Sequence, residues 1–361
     1  MYSKIKILTY LIYLFPLAIS LLFAQKNNKI VNFVLFANLV LLTIIVGFRH
    51  FQVGQDTINY VIMYQDKAYS YYNLLYFLED INKRTEIIPL ICESVLSRYT
   101  DNYLWFNLTI AVANYLTLFF YLKTSKFSNA YLYFYIVLGF FFISSNAVRQ
   151  APALNLFLLA VHYRIYGQNK KAIIAILLGS LFHYSILLAS FPLVFLGKVY
   201  INNYKLILLY ISAFILNVTQ FLDLLIPILD FMPGSYASYL TRDNGISESG
   251  YGLSLVVNFT YFILLLYARH NYKNKIIINY LLIALLGQIF WVFSGQDLIL
   301  HRFFNYYYIF LIPSLFFVTK LLMEKKYYFI FYGLHFLLIT NYCYKIYISD
   351  SGCSPYRSIL E

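Results

Sequence analysis

Three arginines lie at the ends of long apolar segments: Arg49, Arg149 and Arg302. An arginine near a membrane edge is costly unless it is paired or hydrated. Its planar guanidinium donates two parallel N–H bonds, which match two oxygens of a phosphate. The pattern predicts a cationic pocket for a phosphorylated or anionic lipid. The alternative is that these side chains only reach the lipid headgroups.

Three carboxylates are predicted on the same side of the membrane as these arginines: Asp56, Glu86 and Asp297. A carboxylate beside arginines stays ionised. It can then act as a base toward a sugar hydroxyl, or position that hydroxyl by a hydrogen bond. We expect Asp56 and Glu86 to be catalytic and Asp297 to bind substrate. The alternative is a structural Asp–Arg pair.

Two histidines belong to the same candidate site. His183 interrupts an apolar segment within Phe182-His183-Tyr184-Ser185, and His301 precedes Arg302. An imidazole can serve as a base or donate a hydrogen bond to a pyrophosphate, whereas a histidine among apolar residues is otherwise an ordinary core residue. We expect His183 to be catalytic and His301 to bind substrate. Two more side chains complete the predicted substrate site: Tyr60 and Gln150.

Motifs of several other enzyme classes are absent from the sequence. It contains no Walker loop, no His-Glu-x-x-His and no Gly-x-Ser-x-Gly, so ATP hydrolysis, zinc proteolysis and α/β-hydrolase chemistry lack support. We expect neither a metal nor a cofactor. The cysteines Cys92, Cys343 and Cys353 form no Cys-x-x-Cys pair and are expected to be structural or incidental. The net charge of +12 is spread through short loops and does not indicate nucleic-acid binding.

The composition indicates which elements position these residues. Hydrophobic residues make up 61% of the chain and charged residues 12%, and the mean hydropathy is +0.67. A soluble domain is about half apolar and a quarter charged. Repeated apolar runs, each long enough to cross a hydrocarbon core of about 30 Å, predict an all-α polytopic transmembrane bundle. We predict ten spans: 7–23, 31–47, 104–122, 130–145, 151–166, 206–222, 253–268, 276–294, 303–319 and 327–347.

The segment 172–197 is long for one span and is interrupted in its middle. It is either one tilted helix or a hairpin that returns to the side from which it entered. Basic residues favour cytoplasmic loops. With an outside N-terminus and a hairpin here, only one of the 15 acidic residues, Glu324, falls in the inner loops. Lys4 and Lys6 at an outside N-terminus oppose this arrangement, but the charge pattern favours the hairpin.

Two long segments are then left outside, 48–103 and 223–252. In the first, 68–78 and 86–99 are expected to be helices lying in the membrane interface. The second contains turn-forming residues and suits a mobile lid. With no large soluble region, we expect one integral membrane domain over 1–361.

Several short motifs together resemble a known family. They are Arg49 with Gly54-x-Asp56 and Tyr60, then Glu86, Arg149-Gln150, Phe182-His183-Tyr184-Ser185, and Arg302 with Tyr306. The pattern covers roughly 1–320 and resembles the EpsG-like branch of the Wzy-type polysaccharide polymerases.

The resemblance implies a bacterial enzyme of the inner (cytoplasmic) membrane with its active site facing the periplasm or outside. Such an enzyme joins repeat units of O-antigen, capsule or exopolysaccharide. Its donor and acceptor are oligosaccharides linked to undecaprenyl pyrophosphate, and its environment is the lipid bilayer. A chain-length regulator and a flippase of the same pathway are further expected partners.

Other functions also fit a lipid-binding cavity with arginines. A lipid-linked oligosaccharide carrier (flippase) would tend to show two related halves, and none is evident. A glycosyltransferase that uses polyprenyl-phosphate sugars usually has its acidic residues after the first span, whereas here they follow the second. An O-antigen ligase is separated poorly from a polymerase by sequence.

Overall fold

The computed structural model describes residues 2–23, 29–70, 86–125, 128–196, 201–219, 252–294, 298–348 and 352–358. These residues form helices, and no strand occurs among them apart from an isolated bridge between Arg49 and Ser358. The predicted all-α class is therefore confirmed. The predicted lid 223–252, except for its last residue, and most of the predicted interfacial helix 68–78 lie outside the described residues.

The helices follow the chain in a simple order. They are α1 (Tyr2–Phe23), α2 (Lys29–Gly47), α3 (Thr57–Ser70), α4 (Ile87–Leu96), α5 (Leu104–Thr124), α6 (Ser128–Val137), α7 (Phe140–Asn146), α8 (Gln150–Ile165), α9 (Asn169–Phe182), α10 (Ser185–Ser190), α11 (Asn203–Val218), α12 (Gly252–Asn271), α13 (Lys275–Ser294), α14 (Leu298–Tyr308), α15 (Leu311–Glu324) and α16 (Tyr328–Tyr347). A short 3₁₀ helix, Phe191–Phe195, follows α10.

Three described helical stretches are long and apolar enough to cross a membrane: Leu104–Thr124, Lys275–Ser294 and Arg302–Glu324. Shorter apolar helices accompany them, among them Ile7–Phe23, Asn32–Gly47 and Asn203–Val218. Many large apolar side chains on these helices are exposed, as expected where lipid replaces water. The described part of the chain is all-helical, and its long apolar helices indicate a membrane protein.

One predicted span is interrupted, which corrects the sequence analysis, and another contains an irregular turn. The span 130–145 is split between α6 and α7 at Gly139, whose φ of +88° is in the left-handed region that favours glycine. The ammonium group of Lys345 donates to the Leu138 carbonyl freed by this break, at 3.2 Å. The span 303–319 falls within the membrane-capable stretch Arg302–Glu324, which has one irregular turn between α14 and α15, just before Pro313. Proline has no N–H to bond the preceding turn, so a helix starts there more readily than it continues.

The predicted interruption of 172–197 is confirmed. Helix α9 ends at Phe182, His183 is extended with φ −157° and ψ 121°, and α10 begins at Ser185. A side chain at Gly179 would collide with Ile186, so α9 and α10 pack closely across the break. The segment therefore forms two short helices and not one continuous tilted helix, which was one of the two alternatives in the sequence analysis.

The chain groups into two compact units, one formed by Met1–Val194 with Leu322–Glu361 and the other by Phe195–Leu321. In the second unit, Tyr210 donates to Asn258 at 2.9 Å, and Asn258 donates to Gln288 at 2.7 Å. These buried bonds join α11, α12 and α13, where packing of apolar side chains alone is weakly specific.

The first unit is built around α8. Every residue of α8 from Gln150 to Val161 is buried. The Asn155 side chain donates to both the side-chain oxygen and the carbonyl of Asn114, at 2.9 and 3.0 Å, which joins α8 to α5. This fixed helix sets the position of the residue that precedes it, Arg149.

Candidate functional site

The Glu86 carboxylate is the centre of a cluster in the first unit. One of its oxygens, Oε2, pairs with Nη1 of Arg149, and the other, Oε1, bonds Nδ1 of His183. The exposed fractions of the three side chains are 12% for Glu86, 26% for Arg149 and 30% for His183. The structure thus brings together three residues that the sequence analysis had named separately.

Each member of this cluster lies at a helix end. Glu86 is the extended residue before α4, and Arg149 is the residue before α8. His183 terminates α9, which a short turn connects to α8. Helices joined by so short a connection run antiparallel, so the end of α9 returns to the level at which α8 begins. Side chains at such ends are freer to meet a ligand than those within a packed helix.

Tyr60 of α3 lies against the arginine. The guanidinium carbon of Arg149 is 5.0 Å from the centre of the Tyr60 ring, a distance at which the ring attracts the cation. Tyr60 is buried with Tyr64, Phe106, Ile110 and Val148. Burial raises the pKa of the Tyr60 phenol above its usual value, so the phenol stays protonated and can donate a hydrogen bond.

Glu93, which the sequence analysis did not select, is a second carboxylate near Arg149. It is 1% exposed and lies on α4, seven residues after Glu86 and on the same helical face. Burial lowers the pKa of Arg149, but Tyr60, Glu86 and Glu93 raise it, and the net pKa is above the usual value. An acidic residue within the apolar run Ile87–Leu96 was the available signal.

Arg49 is in a different environment. It is 0% exposed, and its guanidinium donates to the Val46 carbonyl at 2.5 Å and to the Asn107 side chain at 3.4 Å. Its backbone pairs with Ser358. Burial lowers the pKa of Arg49 from its usual value. Among its polar neighbours, Cys353 raises this pKa most and so partly offsets the effect of burial.

Asp56 lies in the turn that begins α3. Its backbone N–H donates to the Asn146 side chain at 2.9 Å, and its carbonyl accepts from the N–H of Tyr60 at 3.3 Å. Its side chain is half-buried. Asp56 is therefore one helical turn from Tyr60, and its catalytic role stays a prediction. Gln150 is buried at the start of α8, next to Arg149.

The remaining predicted site residues belong to the second unit. Arg302 is exposed on α14. His301 lies on the same helix, and its side chain is outside the described part of the structure. Asp297 lies outside the described residues altogether. Their predicted substrate contacts stay predictions.

The cluster around Glu86 has a definite chemical capacity. When Nδ1 of His183 carries the proton, it donates to Glu86 and leaves Nε2 as a hydrogen-bond acceptor. A carboxylate that orients an imidazole in this way is a recurring device of general-base catalysis. Arg149 on the second oxygen favours the charged form of Glu86 and places a cation next to this pair.

Comparison with known proteins gives a family for the chain. No curated protein and no solved structure matches it significantly. The model of the EpsG family matches residues 32–358, which include every member of the Glu86 cluster as well as Arg49 and Arg302. The match covers most of the chain, and the protein therefore belongs to the EpsG family, which is related to the Wzy-like polysaccharide polymerases.

Proposed function

We propose that this protein is a Wzy-type polymerase that joins undecaprenyl-pyrophosphate-linked repeat units of O-antigen, capsular polysaccharide or exopolysaccharide. Its EpsG membership and its apolar helical structure support a role in polysaccharide biosynthesis at a membrane. The observation that carries the proposed reaction is the Glu86 carboxylate shared between Arg149 and His183.

In the proposed reaction, His183 is the base. Its Nε2 takes the proton of the acceptor hydroxyl as that oxygen forms a bond to the anomeric carbon of the donor sugar. The bond between that carbon and the pyrophosphate oxygen breaks, and its electron pair leaves with undecaprenyl pyrophosphate. Glu86 holds the imidazole in the required tautomer, and Arg149 stabilises the charge that grows on the leaving group, an effect of several kcal/mol in related catalytic arrangements.

The other predicted site residues have supporting roles in this proposal. Tyr60 holds the guanidinium of Arg149, and Gln150 adds hydrogen bonds beside it. Asp56 and Asp297 position sugar hydroxyls. Arg302 and His301 contribute positive charge or hydrogen bonds to the pyrophosphate, whereas the fully buried Arg49 stabilises the fold. A flippase and a chain-length regulator of the same pathway are proposed partners.

We propose a multi-pass placement in a bacterial inner membrane with the site facing outward. The distribution of basic residues supports this orientation. Cysteines introduced at Lys171 and Lys205 are expected to be shielded from an impermeant outside thiol reagent, because both lie on the inner side when 172–197 is a hairpin. A cysteine introduced at Asn244 is expected to be labelled. Opposite labelling at 171 and 205 would contradict the hairpin.

The reaction is tested with purified protein and a single lipid-linked repeat unit. A polymerase yields a ladder of products, whereas a carrier or a ligase yields none. The variant His183→Ala is expected to lose the ladder, because general-base catalysis contributes about 10²- to 10⁴-fold. His270→Ala, at an exposed histidine that ends α12, is the matched control and should retain it. Parental activity in His183→Ala would exclude this histidine as the base.

A further inference from the structure

A short segment after α16, residues 352–358, packs against the loop that follows α2. The N–H of His50 donates to the Arg357 carbonyl at 2.9 Å, and the N–H of Gly54 donates to the Gly352 carbonyl at 2.9 Å. Next to the first of these bonds, Arg49 and Ser358 form an isolated antiparallel bridge. We call residues 352–358 the clasp and residues 49–56 the polar turn.

Side chains anchor the clasp as well. Arg357 donates to the Gln52 side chain at 2.7 Å, and the Tyr356 hydroxyl donates to the Ile45 carbonyl at 3.0 Å. From α1, the Tyr13 hydroxyl donates to the Cys353 carbonyl at 2.5 Å. Cys353 itself is buried. The clasp is therefore held by both backbone and side-chain bonds.

Hydrogen bonds also connect the polar turn to the beginning of α3 and to the end of α7. The N–H of Thr57 donates to the Gly54 carbonyl at 3.1 Å, and the Thr57 hydroxyl donates to the Val53 carbonyl at 2.8 Å. The Asp56 N–H donates to the Asn146 side chain at 2.9 Å. The first turn of α3 is thus set by the turn that the clasp holds.

One helical turn further along α3 is Tyr60, whose ring lies 5.0 Å from the guanidinium of Arg149. Hydrogen bonds therefore link Gly54 to Gly352 and Thr57 to Gly54, and the N–H of Tyr60 donates to the carbonyl of Asp56, the residue before Thr57. Gly54 has a φ of +94°, and Arg49 beside the bridge is a buried cation. Glycine adopts this φ without strain, and a Cβ at Gly54 would meet the Ser145 carbonyl, so the polar turn packs closely where the clasp is bonded to it.

We propose that the clasp is a positioning element of the candidate site: it holds the polar turn so that α3 places Tyr60 against Arg149. The match to the EpsG family extends to residue 358, through the last residue of the clasp. The expected effect of the clasp on polymer formation rests on the polymerase function proposed above. The placement of α3 by the clasp is independent of that function.

The first test measures this placement without an activity assay. The variant Tyr356→Phe/Arg357→Ala removes the two side-chain bonds of the clasp to Ile45 and Gln52. In a background with Val61→Cys, at a buried residue of α3 whose side chain makes none of these bonds, we expect the thiols at 61 and 353 to be protected from a hydrophilic maleimide when the clasp is intact. In the clasp variant both should be labelled faster, by about tenfold, the effect of losing two hydrogen bonds.

Arg98→Ala/Tyr99→Phe is the matched control, because this exposed Arg–Tyr pair lies between α4 and α5 and away from the clasp. It should leave both thiols protected. Labelling of Cys353 alone would show that the clasp opens without moving α3. Unchanged labelling of both thiols would show that the side-chain bonds of Tyr356 and Arg357 do not hold the clasp in place. Either result overturns the proposal.

The second test uses the ladder assay. The clasp variant should raise the apparent KM for the donor, and adding it to Tyr60→Leu should cost no further activity, because both changes remove the same ring from Arg149. Independent, additive losses would assign the clasp a general stabilising role and overturn the proposal. If the parental protein forms no ladder, the polymerase function fails, while the labelling result still decides the placement of α3.

Discussion

Arg149 and Arg49 both follow apolar runs, yet the structure gives them different surroundings. Arg149 is 26% exposed, pairs with Glu86 and lies against Tyr60. Arg49 is 0% exposed, and the described acceptors of its guanidinium are a backbone carbonyl and an amide oxygen. A pair of opposite charges can exchange one partner for an anionic ligand, whereas a guanidinium bonded to buried neutral acceptors leaves them unsatisfied if it moves. The same residue type at similar sequence positions therefore has an exchangeable charged partner in one case and fixed neutral partners in the other.

The largest effect is expected at Glu86, the carboxylate that distinguishes the surroundings of Arg149 from those of Arg49. Glu86→Gln retains the shape but removes the charge that holds His183 and Arg149. Turnover in the ladder assay should fall by about 10²- to 10⁴-fold. Glu324→Gln, at an exposed carboxylate at the end of α15, should keep parental turnover. A fully active Glu86→Gln protein would show that the pairing in the first unit is only structural.

Arg149→Ala should abolish most polymer formation while the protein remains abundant in the membrane. The loss of a cation at the leaving group is expected to lower turnover about 10²-fold or more. Arg149→Lys should restore little, because lysine offers a point charge without the bidentate fork. Full rescue by lysine would show that bidentate phosphate binding is the wrong role for this residue.

Arg49→Ala should act mainly on folding. It removes a large buried side chain and leaves the acceptors of Val46 and Asn107 without their donor, so we expect a loss of stability of about 2–5 kcal/mol. The measurements are the amount of protein in the membrane and its thermal unfolding midpoint in detergent. Should the Arg49→Ala protein be as stable and abundant as the parent but inactive, Arg49 belongs with Arg149 as a ligand-binding residue.

The smallest effect is expected at Tyr60. Tyr60→Leu removes the ring that faces Arg149 and should weaken donor binding about twofold to thirtyfold, the range of a cation–π contact. Tyr60→Phe keeps the ring and should lose less. The measurement is the apparent KM of the donor in the ladder assay. Equal losses in both variants would assign the effect to the hydroxyl and not to the ring.

Several features of the fold were predictable from the sequence because they depend on local composition. Long apolar runs give helices in a membrane protein whatever their neighbours, since lipid cannot satisfy an exposed backbone. The predicted span 104–122 corresponds to Leu104–Thr124, and 276–294 corresponds to Lys275–Ser294. The break at His183 was also predictable, because polar residues interrupt the run there.

Other features were missed because they depend on contacts distant in sequence. The break at Gly139 lies within a continuous apolar run, and Lys345 bonds the freed carbonyl from more than two hundred residues away. Glu93 is a lone acid in an apolar helix, and only the position of Arg149 beside it gives it a role. The clasp could not be recognised from its own short polar sequence.

The sequence by itself determined the helical membrane class, the family, and the set of polar residues from which a site can be built. It did not determine which of them meet. Glu86 and His183 are 97 residues apart, and they pair because α9 returns along α8 to the level of Arg149. Tertiary structure alone decided that Arg149 lies beside a carboxylate while the described acceptors of the Arg49 guanidinium are neutral, because the electrostatics of a charged side chain depend on which groups are within a few ångströms in space.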